Sequence, residues 1–382
     1  MVRLGDICTF QSGGTPAKND SSFFGGEIPW ITTVALNGGI ICEADAVDWI
    51  TKKAIEHSAA KIVPTHSIMV GTRVGVGKVA INDVPMSTSQ DIISLLNIDE
   101  MVWDKTYLCK VILSKNSYLS SQARGATIKG IKIDTLAMLE IPDLPIKEQK
   151  RISAVLDRVS DLISLRKQQL TKLDELVKAR FVELFGTETE FDKWPCCTIG
   201  DVADVCVGVV IKPTQYYTDK GIPAFRSLNI GEMRVKDSDW VYFTEEGHQK
   251  NQKSVVHKND VLVVRSGAPG TACVATEKYD GYNAVDIIIA HPDNNKVNSM
   301  FLAAFTNMPH GMNQIRERTG GAAQQHFNVG GYKAMRLIMP SIELQNRFAA
   351  FVEQTDKSKL AIQQSLDKME LLKKALMQKY FG

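Results

Sequence analysis

Gln149-Lys150-Arg151-Ile152 opens a stretch that closes 36 residues after its glutamine, on Phe185-Gly186. Gln345-Asn346-Arg347-Phe348 opens a second stretch that closes at the same distance, on Phe381-Gly382. In the first, apolar side chains recur every three or four residues at Ile152, Val155, Val159 and Leu162, then at Leu170, Leu173, Val177 and Leu184. In the second, Phe348, Phe351, Ile362, Leu366, Met369, Leu372 and Leu376 fall at matching places. That spacing puts them on one stripe of a helix. Pro145 and Pro340 precede the starts, and the glycines stand where helices stop. Thirty-six residues at about 1.5 Å each make a rod of about 54 Å. A stripe this narrow on a helix rich in Lys, Glu, Gln and Arg calls for a partner helix. The seam is expected to break at Arg166 in one copy and at Thr355-Asp356-Lys357-Ser358 in the other.

Working outward, the residues before each tail also repeat, with looser register. Leu4-Gly5-Asp6-Ile7 is echoed by Ile199-Gly200-Asp201-Val202, and Ile28-Pro29-Trp30 by Ile222-Pro223-Ala224. Ser67-Ile68-Met69-Val70 matches Asp260-Val261-Leu262-Val263, Gln90-Asp91-Ile92 matches Val285-Asp286-Ile287, and Glu140-Ile141-Pro142 matches Ile338-Met339-Pro340. The organisation read from this is a globular body at 1–144, a spacer helix at 145–186, a second body at 187–340 and a second spacer at 341–382. Tails of fixed length act as spacers; bodies free to vary suit a variable surface. If the two helices pair antiparallel, a pseudo-twofold axis relates the halves.

Within the bodies, short β-type runs at 61–64, 67–70, 78–81 and 91–95 have counterparts at 261–264 and 286–290. Helical stretches are expected near Thr106–Leu113 and Met300–Met308, so each body is α+β. A chain of 382 residues with 44% hydrophobic residues and net charge +2 can bury ordinary cores and is not a disordered one. Met1-Val2-Arg3-Leu4-Gly5-Asp6 lacks the apolar run of a secretory leader, and no segment approaches a membrane span, so a cytoplasmic location without membrane contact is expected. Cys8, Cys42, Cys109, Cys196, Cys197, Cys206 and Cys273 are scattered, odd in number and free of CxxC pairs, which implies free thiols and no metal cluster.

Bulk charge gives no hint of a nucleic-acid partner. The tails hold 16 basic and 11 acidic residues of totals of 45 and 43, leaving 29 and 32 elsewhere. Placement is another matter. Lys105, Lys110, Lys115, Arg124, Lys129 and Lys132 lie between 105 and 133 with no acid among them. Lys296, Arg316, Arg318, Lys333 and Arg336 occupy the same part of the second half, against Glu317 alone. Both stretches hold a glycine-rich turn: Arg124-Gly125-Ala126-Thr127-Ile128-Lys129-Gly130, and Arg318-Thr319-Gly320-Gly321-Ala322-Ala323-Gln324-Gln325. Glycine lets backbone approach a phosphate, Arg and Lys neutralise it, and Gln can read an adenine edge. A second candidate is Gly71-Thr72-Arg73-Val74-Gly75-Val76-Gly77-Lys78, paired with Arg265-Ser266-Gly267-Ala268-Pro269-Gly270. The Walker spacing fails here, because Val79 follows the lysine. A strand-turn-strand that projects Arg73 and Arg265 is expected; a purely structural turn fits equally. Arg226 completes the candidate DNA contacts. No DPPY- or NPPF-like run, GxGxxG, HExxH or nuclease cluster is present, and the histidines form no nucleophile-base pattern. The chain reads as non-catalytic.

Leu4-Gly5-Asp6-Ile7, Ser12-Gly13-Gly14-Thr15-Pro16, Gly26-Glu27-Ile28-Pro29-Trp30-Ile31, Gly71-Thr72-Arg73, Gly125-Ala126-Thr127, Ile141-Pro142, Pro145, Glu148-Gln149 and Arg151-Ile152 together resemble the specificity subunit of a type I restriction-modification system. The second half departs from that pattern: Gly208-Val209-Val210 replaces the Ser-Gly-Gly-Thr-Pro run, and Leu344 stands where Glu148 does. The resemblance implies two target-recognition domains separated by an antiparallel coiled coil, each domain reading one half of a bipartite site in double-stranded DNA. It further implies that the coil sets the gap and docks two methyltransferase subunits, which carry S-adenosylmethionine and methylate adenine. This chain would hold no cofactor itself, and motor-nuclease subunits would join for cleavage. A coiled-coil scaffold without base readout explains the helices but not the duplicated basic loops.

Overall fold

The computed structural model describes residues 1–125, 129–319 and 326–382. The chain divides into two compact units, one formed by Met1–Arg166 with Ser365–Gly382, the other by Lys167–Gln364. The helices that matter most are α1 (Lys105–Ser114), α2 (Ile146–Phe185), α3 (Ser299–Asn307) and α4 (Ile342–Phe381).

In the first unit, β1 (Thr9–Ser12), β2 (Ile68–Gly71), β3 (Val79–Asn82) and β4 (Ile92–Leu96) form a sheet in the order β1-β4-β2-β3, extended by Ile40–Ile41 at its edge. In the second, β5 (Ala203–Val207), β6 (Val261–Val264), β7 (Ala272–Val274) and β8 (Ile287–Pro292) take the order β5-β8-β6-β7. These are the same path, antiparallel at every one of those pairs. The β-branched runs Val261–Val264 and Ile287–Ile289 are buried throughout, as strands covered on both faces must be. Each unit adds a smaller sheet containing one parallel pairing, Trp30 with Ser87 and Ala224 with Asn283. The repeated Leu-Gly-Asp and Ile-Gly-Asp motifs form equivalent 3₁₀ turns, Leu4–Asp6 and Ile199–Asp201. Leu4 N–H donates to Leu139 O and Ile199 N–H to Met335 O, and both side chains are fully buried.

The long helices enter both cores. In the first unit, Ile152 and Leu156 near the start of α2 share a core with Phe381 at the end of α4. In the second, Val177, Phe181 and Phe185 near the end of α2 share a core with Phe348 and Val352 near the start of α4. Past each core, then, one helix begins where the other finishes, and they run antiparallel. Phe381 meets Tyr107 edge-on at 5.6 Å, and Phe185 meets Phe301 at 4.8 Å, so the repeated Phe-Gly ends plug equivalent places on α1 and α3.

The repeated glutamines lock the helix starts. Gln149 is fully buried; its Oε1 accepts Asp104 N–H at 2.9 Å, and its Nε2 donates to Leu144 O and Val102 O at 2.7 and 3.0 Å. Gln345, also fully buried, accepts Asn298 N–H at 2.9 Å and donates to Pro340 O at 2.9 Å. Asp104 and Asn298 are the N-caps of α1 and α3. A buried amide must be satisfied; in both units an N-cap N–H and the carbonyl five residues upstream do so, with Val102 O as a further acceptor in the first.

Two features of the seam differ from expectation. Thr355 does not interrupt it: the residue is 5% exposed, and its hydroxyl donates to Phe351 O at 2.9 Å, which hides its polarity in the helix. Leu162 and Leu372 are 39% and 49% exposed and lie off the stripe, which in the first helix instead runs Ile152, Leu156, Val159, with Val155 half-buried beside it. Leu170, Leu173, Phe351, Ile362 and Met369 are half-buried, while Val177, Phe348 and Leu366 are buried. Among the described residues no helix is long and apolar enough to cross a membrane.

Candidate nucleic-acid interface

In the first unit, β2 turns into β3 through a tight loop closed by Gly71 N–H to Lys78 O at 2.8 Å and Gly77 N–H to Gly71 O at 2.9 Å. Gly77 sits at φ +77°, a region in which a side chain is strained. Thr72 is buried; its N–H and hydroxyl both donate to Asp91 O, and its carbonyl accepts Ile131 N–H at 2.8 Å. Its role is therefore to hold the hairpin. Arg73, the next residue, has a half-exposed side chain and only a loose pairing with Asp91 at 3.8 Å. Lys78 is exposed.

The basic segment that follows α1 returns to this hairpin. Arg124 and Gly130 exchange N–H to O bonds of 2.9 and 3.0 Å. A Cβ on Gly130 would come within 2.9 Å of both Arg73 Cγ and Thr72 O, so only glycine lets the two segments touch. As a result Arg73, Arg124 and Lys132 line one cleft with Gln122 and Thr135. Lys129 is exposed beside it. The two stretches that sequence patterning singled out separately form one basic surface. Thr127 lies outside the described residues.

The second unit repeats the hairpin and corrects its alignment. Val264 N–H donates to Thr271 O at 2.9 Å and Gly270 N–H to Val264 O at 3.0 Å, with Gly270 at φ +92°. Val264 therefore corresponds to Gly71, and Arg265 to Thr72, not to Arg73. The remaining bond agrees, because Arg265 O accepts Phe327 N–H at 2.9 Å. Arg265 does not project. It is 8% exposed and turns inward, donating to Asp286 Oδ1 at 2.6 Å and to Phe327 O at 3.1 Å, with His326 Nε2 as a third partner. Asp286 follows from the same register as the equivalent of Asp91, since Ile92 pairs with Gly71 and Ile287 with Val264.

Ser266 stands where Arg73 stands in the first unit. Guanidinium nitrogens only donate, so His326 accepts at Nε2 and carries its proton on Nδ1, 2.7 Å from Ser266 Oγ. The Ser266 hydroxyl is left with its own hydrogen to give. Arg318 spends its guanidinium on Gln314 O and Ala334 O at 2.8 and 3.3 Å, and Arg226 donates to Asp239 O. Arg318 thus bonds within its own helix and to the end of the next, and Arg226 ties two loops together. Gln324 and Gln325 lie outside the described residues.

Comparison with known proteins places these features in context. Residues 1–175 match the family described as type I restriction modification DNA specificity domain. The type I restriction enzyme MjaIX specificity subunit of Methanocaldococcus jannaschii is 23% identical over 401 residues, covering 99% of this chain and 91% of its own. The EcoR124I/EcoR124II specificity subunit of Escherichia coli is 29% identical over 185 residues, 47% of this chain and 45% of its own. Among solved structures, the S subunit of a type I system from M. genitalium superposes with a TM-score of 0.58 at 16% identity, covering all of this chain and 95% of its own. A chain from a study of complex assembly and conformational transition in the type I R-M system gives 0.64 at 17% identity, covering all of this chain and 96% of its own. Those two likenesses carry the fold: two α+β bodies on paired long helices.

Proposed function

We propose that the chain is a specificity subunit of a type I restriction-modification system, the family its first 175 residues match and its relatives resemble, that it is non-catalytic, and that each of its bodies reads one half of a bipartite site in double-stranded DNA. The observation that carries this reading is the convergence of Arg73, Arg124 and Lys132 on one cleft beside an exposed hairpin. Cations in a cleft neutralise phosphate, and a half-free arginine offers a fork to a guanine edge. The second body presents the same hairpin with Ser266 at the tip and its arginine withdrawn. Different chemistry at one structural position is what two unlike half-sites require.

The paired helices set the gap between half-sites and dock two methyltransferase subunits, with motor-nuclease subunits joining them for cleavage. S-adenosylmethionine and the methylation of adenine belong to the methyltransferase, and the assembly works in the cytoplasm. None of this asks the chain for a catalytic group. The test is selection from random duplexes using the chain assembled with its methyltransferase subunit. Recovery of two short motifs separated by a constant gap is expected. Binding without any selected motif would mean that the chain is a scaffold and reads no bases.

A further inference from the structure

Away from the basic surfaces, the second unit brings a thiol, an imidazole and a buried carboxylate into line. Cys206 lies on edge strand β5, opposite Ile289 of β8; His291, two residues further along β8, shares its face. Cys206 Sγ is 3.6 Å from His291 Nε2, and His291 Nδ1 is 2.7 Å from Asp260 Oδ1. Asp260 is only 3% exposed and its other oxygen accepts His257 N–H at 2.6 Å, so the carboxylate is fixed from both sides. An acceptor at Nδ1 fixes the proton there and aims Nε2 at the sulfur. The thiol is half-buried, on the exposed edge strand β5. The DNA-reading role uses none of these groups.

We propose that Cys206 is a nucleophilic thiol, activated by the His291–Asp260 pair, and that it is the site on this chain where soft carbon electrophiles add covalently. At pH 6.5 His291 is already the imidazolium, so the thiol proton leaves to solvent and the Nε2–H holds the sulfur as thiolate. Sulfur attacks the electrophilic carbon, the sulfur–carbon bond forms, and the leaving group departs with its bonding pair; no electron is gained or lost overall. The imidazolium is favoured here: its pKa is raised to about 10, first by the bond to Asp260 and next by Cys206, against burial. The other groups around it leave this arrangement intact. His257 faces Asp280 at 3.5 Å and Asp204 opposite His291 pairs with Lys333 at 3.6 Å; the thiol S–H donates to Lys253 O at 3.2 Å, a bond that is given up when the proton leaves.

Iodoacetamide at pH 6.5, followed by peptide mass spectrometry, gives a rate for every cysteine of the full chain. Folding ordinarily protects a thiol, so the decisive comparison is Cys206 in the folded chain against the same residue in urea. A rate about tenfold higher when folded is expected. A folded rate equal to or below the unfolded one overturns the proposal. His291→Gln and Asp260→Asn should each bring Cys206 to the unfolded rate or below it while Cys42 and Cys196 keep theirs; an unchanged Cys206 rate in both also overturns it. Cys8, Cys109 and Cys273 are buried, with thiols pushed up to about 12 by desolvation, and stay silent while the fold holds. A variant in which they react has unfolded, and the wild-type comparison, which needs no substitution, then decides.

Discussion

Replacing Gln149 by leucine removes three hydrogen bonds from the first unit while keeping nearly the same volume. Gln149 is fully buried, and its amide holds Asp104 N–H, Leu144 O and Val102 O at 2.7–3.0 Å. A buried backbone group that loses its partner costs about 1–3 kcal/mol, and carbonyls, with two lone pairs, sit at the low end. Three such groups cost about 3–4 kcal/mol, and burying leucine in place of an amide returns about 1 kcal/mol. A net loss of about 2–3 kcal/mol follows, or about 30–150-fold in an opening equilibrium. Because the chain has two units, a single melting curve would blur the effect. Hydrogen exchange resolves it: protection should fall by that factor in α1, whose N-cap is Asp104, and stay unchanged in α3. Gln345→Leu should give the converse, with α3 opening and α1 intact. Loss of protection below threefold in α1, or equal loss in both helices, would refute the idea that each glutamine locks its own body to its own helix start.

Arg73→Ala should relax one half-site by about 1–3 kcal/mol in a binding titration and leave the other half-site alone; equal weakening at both would contradict modular reading. Arg265→Ala should act on stability, since Asp286 and His326 lose their partner, costing about 2 kcal/mol in urea denaturation with Asp286 partly solvated; weaker DNA binding at unchanged stability would return Arg265 to the reading surface. His291, whose pKa is raised to about 10, contributes stability that is whole below its unfolded value near 6.5 and drains away as pH climbs toward 10. The urea midpoint of the second unit should therefore drop over that window, and His291→Gln should flatten the drop; an identical slope in the variant would sink this assignment. Removing seven residues from the middle of both long helices shortens the rod by about 10 Å, so the preferred gap should shrink by about three base pairs, and an unchanged gap would show that the helices are no ruler.

Much of the fold could be read from residue patterns, because the helices depend on local periodicity. The three-and-four spacing located both long helices, and Ile146–Phe185 and Ile342–Phe381 end against the repeated glycines. The repeat of Gln149 and Gln345 was visible, but its cause was not. Their partners Asp104 and Asn298 lie 45 and 47 residues upstream, and only tertiary contact brings them together. A cap residue heading a helix at nearly the same distance in both halves was the available signal. Thr355 was misread for a related reason: a hydroxyl breaks an apolar pattern on paper yet is buried easily once it bonds within its own helix. The cleft, by contrast, joins residues 73, 124 and 132, and no spacing rule predicts that.

Identity was the wrong guide to the hairpins. Matching arginine with arginine pairs Arg73 with Arg265, whereas the hydrogen-bond register pairs Arg73 with Ser266 and Arg265 with Thr72. Both arginines nonetheless reach an acid at one place, Asp91 or Asp286, from adjacent positions on the turn. At 3.8 Å with a half-exposed guanidinium, the first arginine is restrained but available. At 2.6 Å and 8% exposed, the second is consumed by its own fold. The backbone closure, the glycine at its end and the carboxylate beneath it are thus the constant part of the device, and the side chains are the part that changes. One body offers a cation to whatever lies over the turn, while the other offers a serine hydroxyl oriented by His326. A hydroxyl discriminates less sharply than a bidentate fork. The first half-site should consequently tolerate fewer bases opposite its hairpin than the second does opposite Ser266.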